Sequence, residues 1–331
     1  MPPDPIRRPL TITAWLLMCS AGLCAAPVLY AVAALIQAAM GSRKPLIAVR
    51  VVTVYCAYEL ATLLACGALW LLAGAGRELT SRRFLALHWR LLRWYVAGIA
   101  GHARAALEIT VARDDDAAAT RALVEDGPLL AFSRHAGPAD TLLFADEILS
   151  RFERRPSAVF KQALLGDPCI DILGHRLPHA VIDPDDREAS EARIAAVTAQ
   201  LDRRGVLLLF PEGANFTPER RRGAIEKLRR RGRRREAAAA EAMPRVLPPH
   251  PTGVQTALHA NPAADVIFAA HTGLGLAAFP LELWREMPIG GTLRMRAWRV
   301  PAAEVPRDPD AQSEWLYGWW RRIDEWVAEQ S

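Results

Sequence analysis

The stretch AFSRHAGPADTLLF, residues 131–144, sets His135 and Asp140 five positions apart across a Gly-Pro pair. Histidine is the side chain best suited to take a proton from a hydroxyl near neutral pH. A carboxylate on its second ring nitrogen fixes the tautomer and stabilises the imidazolium as it forms. His135 is therefore a candidate general base, and Asp140 its candidate partner. The pairing requires Pro138 to open a helix, because proline is tolerated in a first turn and the chain then folds the aspartate back toward the histidine. Ala136, Gly137 and Ala139 leave room beside them for a substrate. Taken alone, the same residues also describe a histidine satisfied at a strand end and a carboxylate capping the next helix.

A base in that place needs a strand behind it and a sheet around it. PLLAFSR, immediately before it, reads as a strand, and so do SAVFKQAL, HAVID, GVLLLF and ADVIFAAHT, separated by segments of helical spacing such as Ala189–Arg204. This alternation predicts an α/β domain with a mostly parallel central sheet flanked by helices, its site lying beyond the C-terminal ends of the strands. The sequence contains no internal repeat, no Gly-x-Gly-x-x-Gly and no phosphate loop, which argues against the common nucleotide-binding folds.

Ahead of that domain the chain is apolar. No charged residue lies between Leu10 and Met40, and only Glu59 between Val51 and Gly76. Both runs exceed the roughly 20 residues needed to cross a bilayer. A signal peptide would also place Arg7 and Arg8 before an apolar run, but this run is too long for a signal core and a second follows it. The expectation is a two-helix transmembrane hairpin over residues 1–80 and a catalytic domain over 81–331. The link carries Arg43, Lys44 and Arg50, fewer than the seven basic residues at the outer ends: Arg7, Arg8, Arg77, Arg82, Arg83, Arg90 and Arg93. Both ends, and the catalytic domain, are thus expected on the cytoplasmic side of a cell membrane crossed more than once. Between Arg82 and Ile99, arginines interleave with Phe84, Leu87, Leu91, Trp94 and Tyr95, a pattern shared by headgroup-layer helices and core helices. The five cysteines show no metal-ligand spacing, so reduced structural thiols are the simplest reading.

Three further stretches follow the histidine in order: FKQALLGDPCIDILGHRLPHAVIDP, LLLFPEGANFTPERRR and VLPPHPTG. With them the sequence resembles the glycerolipid acyltransferase family, the membrane enzymes that include 1-acylglycerol-3-phosphate acyltransferases. His135 and Asp140 match the family's His-x4-Asp block. Phe210, Pro211, Glu212 and Gly213 match its Phe-Pro-Glu-Gly block, about 75 residues on. A membrane hairpin ahead of these blocks is the family's usual accompaniment. The resemblance implies transfer of a fatty acyl group from acyl-CoA or acyl-carrier protein to the free hydroxyl of a lysophospholipid, with Glu212 helping to bind the acceptor. An alcohol is a poor nucleophile at neutral pH, so attack on a thioester needs the base that His135 offers. With the lipid hydroxyl as nucleophile, no serine or cysteine intermediate is required, and no metal or cofactor beyond the acyl donor is expected. Gly213 would let backbone approach the ligand closely, with neighbouring N–H groups available to the oxyanion.

The chain also departs from the family. Where members commonly continue Thr-Arg-Ser after Phe-Pro-Glu-Gly, it has Ala214, Asn215 and Phe216; where the second block commonly ends in arginine, Pro184 follows Ile182 and Asp183. Two arginines expected to help hold an acceptor phosphate are thereby lost. Arg176, Arg187, Arg220, Arg221 and Arg222 are candidates to replace them, because the guanidinium fork suits phosphate. Asn215, and Lys161 at the head of the second block, are further candidate substrate contacts. Alternatively the acceptor already carries a headgroup, as in the lysocardiolipin-acyltransferase-like branch, which FPEGAN and VLPPHPTG resemble more closely.

The net charge of +5 and the isoelectric point near 9.2 come from arginine patches, which face anionic partners. Arg220 to Arg235 holds ten basic residues against one acid. It carries no aromatic interleaving, so an anionic membrane surface suits it better than nucleic acid, and a solvated helix face is the plainer alternative. Trp315, Trp319, Ile323 and Trp326 share one helical stripe, expected to pack in the core. Two other functional readings stay open. A lipid hydrolase would use Ser133 or Thr141 beside His135, although the sequence lacks Gly-x-Ser-x-Gly. A membrane-tethered scaffold would keep the fold without catalysis.

Overall fold

The computed structural model describes residues 4–137, 140–274 and 284–330, and the side chains at 140 and 141 lie outside the description. The chain packs as two compact units, one of Met1–Glu108 with Phe160–Asp185 and one of Ile109–Val159 with Asp186–Ser331.

The first unit is built on three helices: α1 (Asp4–Met40), α2 (Lys44–Leu72) and α3 (Arg82–Leu107). Two of them, α1 and α2, are long and apolar enough to cross a membrane. At about 1.5 Å of rise per residue, α1 runs some 55 Å, and it continues through Pro27 without a break. Cys19, Ala26 and Ala33 recur at seven-residue spacing and are all buried, and Gly22 lies against Cys56 of α2. Small residues at that spacing let two helix backbones approach closely. The outer surface is apolar and open: Leu17 is 68% exposed, Leu35 71% and Leu72 74%. In α3 the two readings of the sequence divide by face, because Phe84 and Tyr95 are buried while Arg90, Arg93 and Trp94 are exposed.

Also in this unit is α6 (Pro168–Arg176), which carries the middle of the second sequence block. Asp167 caps it, accepting from the N–H groups of Cys169 and Ile170, with Pro168 in the first turn. Buried Asp171 accepts from Arg7 at 2.9 Å and Arg8 at 3.1 Å, tying α6 to the start of α1. A short strand, β4 (Ala180–Ile182), follows.

The second unit holds β1 (Thr110–Arg113), α4 (Ala117–Val124), β2 (Leu129–Ser133), α5 (Asp140–Asp146), most of β3 (Arg155–Lys161), α7 (Arg187–Ala199) and β5 (Gly205–Leu209). Then come α8 (Pro218–Arg230), α9 (Arg234–Glu241), α10 (Pro251–Ala260), β6 (Asp265–Thr272), β7 (Thr292–Val300) and a C-terminal helix, Pro309–Glu329. Its strands run in the order β1-β7-β6-β2-β5-β3. Every pairing is parallel except that of β6 with β7. The expected α/β class is observed, with two strands, β1 and β7, added to the expected set. Both central strands, β2 and β5, are buried along their whole length, as parallel strands covered on both faces must be.

One face of the sheet carries an apolar core of Leu129, Ala131, Val206, Leu208, Phe144 and Ile148, joined by Leu293 and Met295 of β7. On the other, Phe268 of β6 stacks on Trp319 at 4.5 Å and meets Trp315 at 5.1 Å, so the tryptophan stripe packs as expected.

Candidate active site

Parallel pairing brings the ends of β2 and β5 to one edge of the sheet. Phe132 pairs with Leu209, and three residues further along each chain stand His135 and Glu212. Glu212 is 2% exposed and turned inward. One carboxylate oxygen accepts from the backbone N–H of His135 at 3.2 Å and from the Trp320 indole N–H at 3.3 Å; the other accepts from the Leu247 N–H at 3.1 Å. One side chain thus joins the His-x4-Asp block, the Phe-Pro-Glu-Gly turn, the VLPPHPTG segment and the C-terminal helix.

Other bonds close the same edge. The His135 carbonyl accepts from the Phe216 N–H at 2.9 Å, and the His250 N–H donates to the Pro211 carbonyl at 2.8 Å. Buried Arg134 reaches the carbonyls of His271 at 2.6 Å and Arg245 at 3.0 Å, pinning the end of β6 and the approach to Leu247. The His135 ring lies 4.6 Å from the ring of Phe210, which meets Phe144 edge-on at 6.5 Å. Phe144 in turn lines a small cavity of about 40 Å³, shared with Ala131, Ile148, Phe152, Ile267 and Met295. The imidazole thus packs on the aromatic pair Phe210 and Phe144 at the edge of the core.

Burial pushes the Glu212 carboxyl up, to about 8, against the pull of the Arg134 guanidinium and the N–H donors around it. Gly213 adopts φ +67°, and its N–H returns to the Phe210 carbonyl at 3.0 Å. Its missing side chain leaves the His250 ring lying against the turn.

Residues 109–267 match the family model described as Acyltransferase. The chain carries an Acyltransferase-family domain. Over 82% of this chain and 98% of the other, at 12% identity and a TM-score of 0.49, it is similar to the 1-acyl-sn-glycerophosphate (LPA) acyltransferase of Thermotoga maritima. No curated protein matches the chain.

Within the acyltransferase domain the expected site residues divide between the two units. His135, Glu212, Gly213, Asn215 and Arg220 lie in the second unit, whereas Lys161 and Arg176 belong to the first. Pro138 and the Asp140 side chain lie outside the described residues, although α5 does begin at Asp140. The acceptor-binding role expected of Glu212 does not fit a carboxylate held inward by three N–H donors; this geometry positions His135 instead. Arg176 differs from expectation too. Its guanidinium donates to the Cys66 carbonyl at 2.9 Å and meets the His88 ring at 3.0 Å, so it fastens α6 to α2 and α3.

Of the arginines considered as phosphate ligands, Arg187 pairs with Glu191, Arg222 with Glu219, and Arg221 closes the end of α9 through the carbonyls of Ala240, Glu241 and Met243. Arg220 stays at the site's margin, exposed and bonded to the Asn215 carbonyl at 3.0 Å. Ser133 is fully buried, and its hydroxyl donates to the Arg134 carbonyl at 3.0 Å, which removes it as a hydrolytic nucleophile. Lys161 is exposed at the end of β3. Among the described residues, Glu59, Asp167 and Cys169 bring metal-type ligand atoms within 4.8 Å of one another. Hydrogen bonds from Tyr95 to Glu59, from Tyr55 to Asp167 at 2.8 Å and from Cys169 to the Glu59 carbonyl at 3.5 Å make this group a junction between helices.

Sequence reasoning missed Trp320, Arg134 and His250. Arg134 and His250 stand inside quoted blocks; nothing local in the sequence marks Trp320 as the donor to a residue 108 positions away.

Proposed function

We propose that the chain is a membrane-anchored O-acyltransferase that moves a fatty acyl group from a thioester donor, acyl-CoA or acyl-carrier protein, to the free hydroxyl of a lysophospholipid. The observation that carries this reading is the Glu212 carboxylate bonded to the His135 backbone, which fixes a candidate base against the Phe-Pro-Glu-Gly turn. His135 takes the proton of the lipid hydroxyl as the oxygen attacks the thioester carbonyl, and the thiol leaves with a proton returned by the imidazolium. Asp140 orients the ring in this scheme. Arg220 and Asn215 are the proposed contacts for acceptor phosphate, and α1 and α2 serve as the anchor, with the catalytic domain on the cytoplasmic side.

Purified protein in detergent, supplied with labelled acyl-CoA or acyl-carrier protein and a panel of lysolipids with and without headgroups, tests the proposal. Label entering a lysolipid supports it. Acyl release that is indifferent to acceptor, or none with any donor, overturns it.

A further inference from the structure

The arginine-rich segment folds into a helical hairpin with a small core of its own. Ile225 and Leu228 of α8 meet Ala237 and Ala240 of α9. Turning these residues inward sends the cations outward. Between Pro218 and Glu241 there are ten basic residues against four acids, an excess larger than the +5 of the whole chain, so the rest of the protein is slightly acidic. Carboxylates neutralise only part of it: Arg222 pairs with Glu219, Arg229 with Glu241 and Arg233 with Glu236. Lys227, Arg230, Arg231 and Arg234 are exposed and have no carboxylate partner among the described residues.

We infer that the exposed face of the α8–α9 hairpin is a docking surface for anionic phospholipid headgroups. The inference rests on the reading of α1 and α2 as a membrane anchor. Its chemistry is electrostatic rather than insertional, because the apolar side of the hairpin is already used internally and no aromatic residue occurs between Pro218 and Glu241. The same lack leaves nothing for bases to stack on, which disfavours single-stranded nucleic acid. The hairpin begins directly after the loop that holds Gly213 and Asn215, with Thr217 as its cap, so docking would hold that loop at headgroup level. Attraction of this kind weakens as salt screens it.

The test is amide exchange of the full chain in nanodiscs of phosphatidylcholine alone or of phosphatidylcholine with phosphatidylglycerol. Exchange over residues 218–241 is expected to slow severalfold only in the phosphatidylglycerol discs. The effect should disappear in high salt and in a variant combining Lys227→Gln, Arg230→Gln, Arg231→Gln and Arg234→Gln. Exchange in β5 reports whether that variant folds. Equal exchange in both discs, or protection that survives the four substitutions, overturns the inference, as does protection by an added oligonucleotide but not by phosphatidylglycerol. Protection of α1 and α2 in both discs marks the anchor separately. If the chain fails to enter phosphatidylcholine discs the anchor reading falls, and sedimentation with phosphatidylglycerol vesicles, abolished by the same substitutions, still decides the hairpin.

Discussion

The buried Glu212 carboxylate holds the backbone N–H of His135 at 3.2 Å. The residue most recognisable in the second motif thus acts on the residue most recognisable in the first, from inside the protein.

All three neighbours of Glu212 are donors: His135, Leu247 and Trp320. Glu212→Gln is therefore not conservative, since an amide nitrogen has no lone pair to offer whichever way it turns. The variant is expected to lose about 1–3 kcal/mol of stability. Transfer should fall by up to about 100-fold through misplacement of the imidazole. Denaturant unfolding and steady-state kinetics measure the two effects; wild-type values for both would contradict the assignment.

Trp320→Phe keeps a ring against Phe268 while deleting the indole N–H that reaches Glu212. Loss of this hydrogen bond costs about 0.5–1.5 kcal/mol. The expected kinetic signature is a lower kcat with little change in KM for either substrate, because the residue acts through His135 and touches no ligand.

Since burial raises the Glu212 carboxyl from 4.5 to about 8, the folded protein binds more protons than the unfolded chain between those values. Stability from this group is therefore complete below about 4.5 and lost as pH rises through about 8. Unfolding free energies measured from pH 5 to 8 should carry this downward slope in the wild type and a flatter one in Glu212→Gln. Identical slopes would contradict it.

Gly213→Ala separates backbone strain from crowding. An added Cβ would meet His250 at 3.5 Å, an ordinary contact, but φ +67° is left-handed. The expected cost is about 1–2 kcal/mol of conformational strain. A much larger loss in thermal unfolding would mean that the turn tolerates no side chain at all.

The central strands were legible because LLAFS and GVLLL are continuously apolar, and the adjacency of the motifs follows once those strands pair in parallel. β1 escaped because four residues make too short a pattern. β7 escaped because Arg294, Arg296 and Arg299 break up its apolar residues, although Leu293, Met295 and Ala297 alternate toward the core. Nor does any local pattern reveal that residues 160–185 pack with the apolar helices: that rests on ion pairs such as Arg7 with Asp171, spanning 164 positions. For Glu212 the motif gave the residue type but not the direction of its side chain, which depends on donors from three distant segments. Arg176 is similar, its charge legible and its carbonyl and histidine partners not.

Replacing His135 by alanine tests the central claim most directly. The variant keeps the backbone hydrogen bonds of residue 135 to Glu212 and Phe216, so it should still fold, and it should lower acyl transfer to lysolipid by about 100- to 10,000-fold. Turnover by a folded His135→Ala protein at the wild-type rate would remove the imidazole from the reaction and contradict the account.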